Sequence, residues 1–136
     1  MTRTLAILSC LILATSSPGS HAQDAEPDCS DQKDQSTMTR CAGLDYEKAD
    51  ADLNRIWPSI KAEAVESDAA EGNGKTDFLD ALMSSQRAWI AYRDAECTRQ
   101  GFEAHNGSME PMLVTACLAE MTAKRIKDLQ GEGLLQ

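Results

Sequence analysis

Apolar residues recur at steps of three and four along three segments of the chain, which is the spacing of amphipathic α-helices. The segments run from residue 35 into the mid-sixties, from 76 or 77 to about 99, and from 109 to about 130. No stretch of useful length alternates apolar and polar residues as a half-buried strand would. The sequence therefore predicts an all-α fold, a small three-helix up-down-up bundle.

Residues with special backbone preferences mark the ends of these helices. Asp34 precedes the first helix as a capping residue, Gly101 follows the second, and Pro111 falls in the first turn of the third. Residues 66–75, which include two glycines, read as a connecting loop. Pro58 interrupts the first helix, where it removes one backbone donor, so the sequence predicts a kink or a break there.

The first 22 residues have the pattern of a secretory signal peptide. A basic residue, Arg3, precedes an apolar run over residues 5–14, and small residues lead to a cleavage site near Ala22. The run is shorter than the ~20 residues that span a membrane, and no later segment is long and apolar enough to do so. We therefore expect an exported protein, periplasmic or secreted, without a membrane span. An extended acidic arm follows over 23–34, the helical domain covers 35–130, and 131–136 form a C-terminal tail.

Four cysteines remain after the signal peptide, an even number in an exported chain, and they predict two disulfides. If the first helical hairpin turns near residue 70, Cys41 and Cys97 lie level, which leaves Cys29 to pair with Cys117. The register equally permits Cys97 with Cys117. Cys29 would then join Cys41, ~18 Å away if the intervening segment were helical. We favour the first connectivity; an arm that folds back would permit the second.

The segment from Gln86 to Cys97 concentrates large polar and aromatic side chains on one helix. Gln86, Trp89, Ile90, Arg93 and Cys97 share one stripe of it, which we expect to face other helices. Buried polar groups need partners, and the hairpin register brings Asp50 within reach of Arg93, so we expect an ion pair between them. The predicted polar network that fixes helix register comprises Asp50, Asn54, Gln86, Arg93 and Arg125. A binding role for Arg93 or Arg87 is the alternative.

The aromatic residues Trp57, Trp89 and Tyr92 are predicted to pack in the core or between helices, with ligand contact as the alternative.

Charge and chemistry narrow the possible functions. The formal net charge is −9, with 22 acidic and 13 basic residues, which disfavours nucleic-acid binding and favours basic partners. Neighbouring carboxylates such as Glu47 with Asp50, or Asp94 with Glu96, are expected by chance in so acidic a chain. No activated nucleophile is recognisable, and His105 is the sole histidine after the signal peptide. We therefore predict a protein that is not an enzyme and has no metal or cofactor.

Three blocks of residues together resemble a known family. They are Tyr46-x-x-x-Asp50-x-x-Leu53-Asn54, then Gln86-Arg87-Ala88-Trp89-x-x-Tyr92-Arg93-Asp94-x-Glu96-Cys97, then Cys117-Leu118-x-x-x-Thr122-x-x-Arg125. With Cys41, they are similar to the LprI-like lysozyme inhibitor family of small exported helical domains. Pro58 directly after Trp57 departs from the family pattern.

The resemblance implies that the protein binds and inhibits a lysozyme outside the cytoplasm, and a basic lysozyme would suit its acidity. The alternative is a non-inhibitory binding or envelope-stress module. No inhibitory residue can be carried over from the family.

Overall fold

Three helices make up most of the protein in a computed structural model, which describes residues 27–131. Helix α1 spans Gln35–Glu71, α2 spans Asp77–Gly101 and α3 spans Glu110–Leu129, with a short 3-10 turn over Phe102–Ala104. The predicted all-α three-helix fold is confirmed. The predicted signal peptide lies outside the described residues, as do 23–26 of the arm and 132–136 of the tail. Within the described range, no helix has the length and apolarity to cross a membrane.

Helix α1 begins where the sequence predicts and ends later. The Asp34 carboxylate accepts the Thr37 backbone N–H at 2.9 Å, which confirms the predicted cap. The helix continues through Pro58 without a break and passes the predicted loop start at residue 66. Residues 66–71 include alanine and glutamate, which favour helix, so the helix ends only at Gly72 in the left-handed region (φ 66°).

Contacts between the helices establish the up-down-up order. Gln35 near the start of α1 reaches Met112 near the start of α3, so these two helices run parallel. Arg125 near the end of α3 bonds Ser85 and Gln86 of α2, whereas Gly101 at the end of α2 abuts α3 near its start. Helix α2 is therefore antiparallel to α3, as predicted.

The unequal helix lengths divide the molecule into two regions. At 1.5 Å per residue α1 is about 55 Å long and α3 about 30 Å. Because Arg125 lies level with residues 85–86, α3 ends about level with residue 82 of α2. We call residues 58–82 the hairpin end, where α1 and α2 pair with each other, and residues 27–57 and 83–131 the three-helix body.

The core is small and lies almost entirely in the three-helix body. Its buried apolar side chains are Cys41, Ala42, Ala49, Leu53, Ile56, Cys97 and Cys117. In the hairpin end, Ala64 and the polar Asp68 are the buried residues. The body therefore contains most of the hydrophobic contacts that stabilise the fold.

The disulfide connectivity that we favoured is wrong. Cys29 bonds Cys41, with Cα atoms 5.7 Å apart, and Cys97 bonds Cys117, with Cα atoms 5.4 Å apart. The ~18 Å objection fails because α1 begins only at Gln35, so half of the intervening segment is not helical. The described part of the arm turns back at Asp28 to Asp31 and returns Cys29 along α1. Each disulfide thus closes a local segment instead of joining α1 to α2.

Candidate functional site

The inward stripe of α2 is the most densely connected part of the body. Gln86, Arg93 and Cys97 are buried and Trp89 is half-buried, but the prediction was wrong for Ile90, which is exposed. The inward stripe therefore consists of Gln86, Trp89, Arg93 and Cys97. These four side chains lie three or four residues apart, so one face of α2 presents them all to its neighbours. The helix places polar groups where a simple core helix would have leucine.

Arg93 connects all three helices. Its Nε and Nη2 donate to Asp94 Oδ1, each at 2.9 Å, and its Nη1 donates to Thr122 Oγ1 of α3 at 3.2 Å. The guanidinium carbon also lies 5.0 Å from the ring centroid of Trp89 and 5.6 Å from that of Tyr46 on α1. These hydrogen bonds and cation–π contacts satisfy a charge that is only 7% exposed.

The predicted ion pair between Asp50 and Arg93 is wrong. Asp50 accepts a hydrogen bond from the Asn54 side chain at 2.8 Å, one turn along the same helix. Within residues 27–131, the acidic partner of Arg93 is Asp94 on its own helix. The register placed the two side chains near each other, and both line one cavity, but the adjacent carboxylate and Thr122 already occupy the guanidinium.

Arg125 supplies a second connection between α2 and α3. Its Nε donates to Gln86 Oε1 and its Nη2 to Ser85 Oγ, both at 3.0 Å, and it lies over the Trp89 ring at 5.6 Å. Partial burial lowers the pKa of Arg125 below its usual range. Trp89 therefore contacts two guanidinium groups. The five predicted network residues form three separate groups: Asp50 with Asn54, Gln86 with Arg125, and Arg93 with Thr122.

A small cavity of about 150 Å³ opens between α1 and α2 at this point. Its lining includes the two tryptophans and the polar side chains of both helices, namely Asp50, Asn54, Trp57, Gln86, Trp89 and Arg93. The Gln86 amide nitrogen makes no hydrogen bond to any residue in the described part of the chain. The cavity has a mixed polar and apolar lining and is about the size of a few water molecules, which suits solvent better than a large ligand.

The predicted packing role of Tyr92 is wrong, because its side chain is 60% exposed. Tyr92 is one residue before Arg93 and falls outside the inward stripe, since each residue turns the helix by about 100°. Trp57 and Trp89 are half-buried and line the cavity between the helices.

Asp68 caps the N-terminus of α2 in the hairpin end, a role that the sequence analysis did not predict. Its carboxylate accepts the backbone N–H groups of Phe78 at 2.9 Å and Leu79 at 3.0 Å. The α2 cap residue Thr76 makes no side-chain capping bond, so an aspartate of the preceding helix performs this function. Asp68 is only 6% exposed. Its burial was not predicted, because residues 66–75 were expected to form a loop.

The hairpin end also has an open groove beside this cap. The groove has a volume of about 530 Å³ and is lined by Pro58, Lys61, Ala62, Val65, Glu66 and Leu79. Val65 is 50% exposed, and Phe78 nearby in the hairpin end is 52% exposed. This surface combines exposed apolar side chains with charged edges.

Charges are distributed differently in the two regions. The hairpin end has six acidic and two basic side chains in 25 residues, a net charge of −4. The body has thirteen acidic and ten basic side chains in 80 described residues, a net charge of −3. Lysines and arginines form six ion pairs in the body, while in the hairpin end Lys75 approaches Asp77 at 3.9 Å. The negative charge of the hairpin end is therefore largely uncompensated.

Residues 27–131 contain no group of three or more histidine, cysteine, aspartate or glutamate side chains placed to hold a metal ion.

Comparison with known proteins identifies the family. The model of the family described as lysozyme inhibitor LprI matches residues 28–129. An uncharacterized protein of Rhizobium meliloti (strain 1021) is 44% identical over 123 residues, which cover 88% of each chain. The uncharacterized protein YecT of Escherichia coli (strain K12) is 33% identical over 103 residues, which cover 69% of this chain and 63% of YecT. No solved structure gives a significant match.

The family match covers all three helices, both disulfides and the Arg93 contacts. The earlier resemblance is therefore confirmed, and the chain belongs to the LprI lysozyme inhibitor family.

Proposed function

We propose that this protein binds a lysozyme outside the cytoplasm and inhibits it. The family match over residues 28–129 is the observation that supports this function. The two disulfides agree with an oxidising compartment outside the cytoplasm.

The surface charge fits a basic enzyme as the target. Lysozymes are commonly basic, and the net charge of −9 would attract them over distances of about 10 Å at moderate salt. Electrostatic attraction of this kind raises the association rate and is weakened by salt. Inhibition follows if the bound protein blocks substrate from the cleft that holds the two catalytic carboxylates.

Export requires that the signal peptide be removed near Ala22, so the mature chain would begin at or near Gln23. The intact mass of the protein recovered from the periplasm or the medium tests this step. A mass that still includes residues 1–22 would contradict the cleavage site.

A cell-wall lysis assay tests the function. Mature oxidised protein, mixed with a purified basic lysozyme at near-stoichiometric amounts in low salt, should slow lysis of bacterial cell walls, and added salt should weaken the effect. The same lysozyme with acetylated lysines is the control for charge: its affinity for the protein, measured by calorimetry instead of lysis, should be lower. Undiminished lysis at a tenfold excess of the protein over several lysozymes would contradict the proposal.

A further inference from the structure

We infer that the hairpin end, residues 58–82, is the surface that docks on the basic lysozyme. This inference rests on the proposed function and names the part of the molecule that performs it. The occupant of the surface is a cationic protein, chosen for its charge.

Exposed apolar side chains line two connected grooves in the hairpin end. The 530 Å³ groove beside Val65 continues into a second groove of about 410 Å³, which Val65 also lines together with Asp68 and the loop residues Gly72 and Lys75. The two grooves follow the line where α1 meets α2 and reach the tip of the molecule. An apolar residue that is half exposed in such a groove can insert into a partner surface and lose water on binding.

The hairpin end that surrounds these grooves is acidic. Glu66 lines the first groove, Glu63 and Asp80 are exposed in the same region, and none of the three forms an ion pair within residues 27–131. The hairpin end contains more than half of the described net charge in a quarter of the described residues. Lys61 and Lys75 also line the grooves, but the hairpin end as a whole has a net charge of −4. An acidic surface around an apolar centre is complementary to a basic protein surface.

Negative charge is better compensated in the body than in the hairpin end. In the body six ion pairs compensate acidic groups, for example Asp128, which pairs with Lys124. The body also has an open groove, lined by the exposed Phe102 and Met109, but its net charge is only −3 in 80 described residues. The body therefore offers a basic partner less free negative charge per unit of surface.

Paired substitutions at exposed positions test the surface. The hairpin variant Val65→Ser with Glu66→Gln removes one apolar anchor and one charge from the groove. The matched body variant Tyr92→Ser with Glu47→Gln removes an aromatic and a charge from exposed helical positions far from the groove. Affinity for a purified basic lysozyme is measured in low and high salt by calorimetry, and folding is checked by thermal unfolding.

We expect the hairpin variant to weaken binding at least tenfold and to reduce its salt dependence, while the body variant changes affinity less than twofold. Equal affinity of the hairpin variant and the unchanged protein would overturn the assigned surface and leave the proposed function intact. Failure of the unchanged protein to bind any basic lysozyme would overturn both. Unfolding of the hairpin variant is recognised by its melting curve, and Glu66→Lys alone then provides the test, with a fivefold or greater loss expected.

Discussion

The three-helix body and the hairpin end are built from the same helices and stabilised differently. The body has both disulfides, nearly all buried apolar residues and the Arg93 contacts among three helices. In the hairpin end two helices pair along a seam with Ala64 buried, and Asp68 caps the following helix. A small exported domain thus concentrates its stability in one region.

This difference indicates which region has side chains available to bind a partner. Side chains that satisfy a buried charge or a core cannot be reassigned to binding without loss of stability. The Gln86 to Cys97 segment is rich in functional groups, yet its inward residues mostly contact other parts of the protein. In the hairpin end Asp68 has such a structural role, whereas the exposed Val65 and Glu66 of the groove do not.

The largest effect should follow from removal of the disulfide between Cys97 and Cys117. The variant Cys97→Ala with Cys117→Ala opens a segment of 20 residues, and the chain-entropy model gives a loss of about 3 kcal/mol in the free energy of unfolding. Chemical denaturation of the two proteins measures the difference. A loss below about 1 kcal/mol would show that the body does not depend on its cross-links.

Loss of the Arg93 side chain should rank second. Arg93→Met keeps most of the volume and leaves Thr122 without its partner, so we expect a loss of about 2 kcal/mol. Arg87→Met is the matched control, because Arg87 is exposed on the same helix and should change stability by less than about 0.5 kcal/mol. Unchanged stability of Arg93→Met together with lost lysozyme binding would reverse the structural role that we give to Arg93.

A smaller effect is expected at Asp68. Asp68→Ala removes the acceptor for two backbone N–H groups of α2 and should cost about 1 kcal/mol, measured by thermal unfolding. Asp68→Asn retains one acceptor oxygen and should recover part of the loss. If Asp68→Ala were neutral, the cap would not hold the hairpin end together.

The smallest of these effects is expected from low pH, which should slightly reduce the thermal stability of the body. Hydrogen bonds from the Thr37 backbone and side chain lower the pKa of Asp34, and the Asn106 N–H and His105 lower that of Glu110. Folded-state pKa values below the ordinary ones stabilise the protein above about pH 4, and this contribution is lost as pH falls through the lowered values. Melting temperatures from pH 6 to pH 2 should decline less steeply for Glu110→Gln. An identical slope would assign acid sensitivity to other groups.

Local sequence signals predicted the elements well because they act within a few residues. The Asp34 cap, Pro111 in the first turn of α3 and the three apolar periods each specify a helix without reference to the rest of the chain. Side-chain direction was harder to predict, because a position one residue from the inward stripe, such as Tyr92, is exposed.

The errors concern partners that depend on how the chain folds back. The pairing of Cys29 depends on a turn in an arm that lacks any periodic pattern. Arg93 had an adjacent carboxylate as well as a distant one, and register alone could not decide between them. The role of Asp68 requires the two helices to meet at the tip, which no local pattern specifies.

Hydrogen exchange of the mature protein, with and without a saturating basic lysozyme, tests whether the hairpin end is both the less stable region and the binding surface. We expect backbone amides in residues 58–82 to exchange faster than those of the body in the free protein and to gain most of the protection on binding. Protection concentrated in the body, with the hairpin end unchanged, would contradict it.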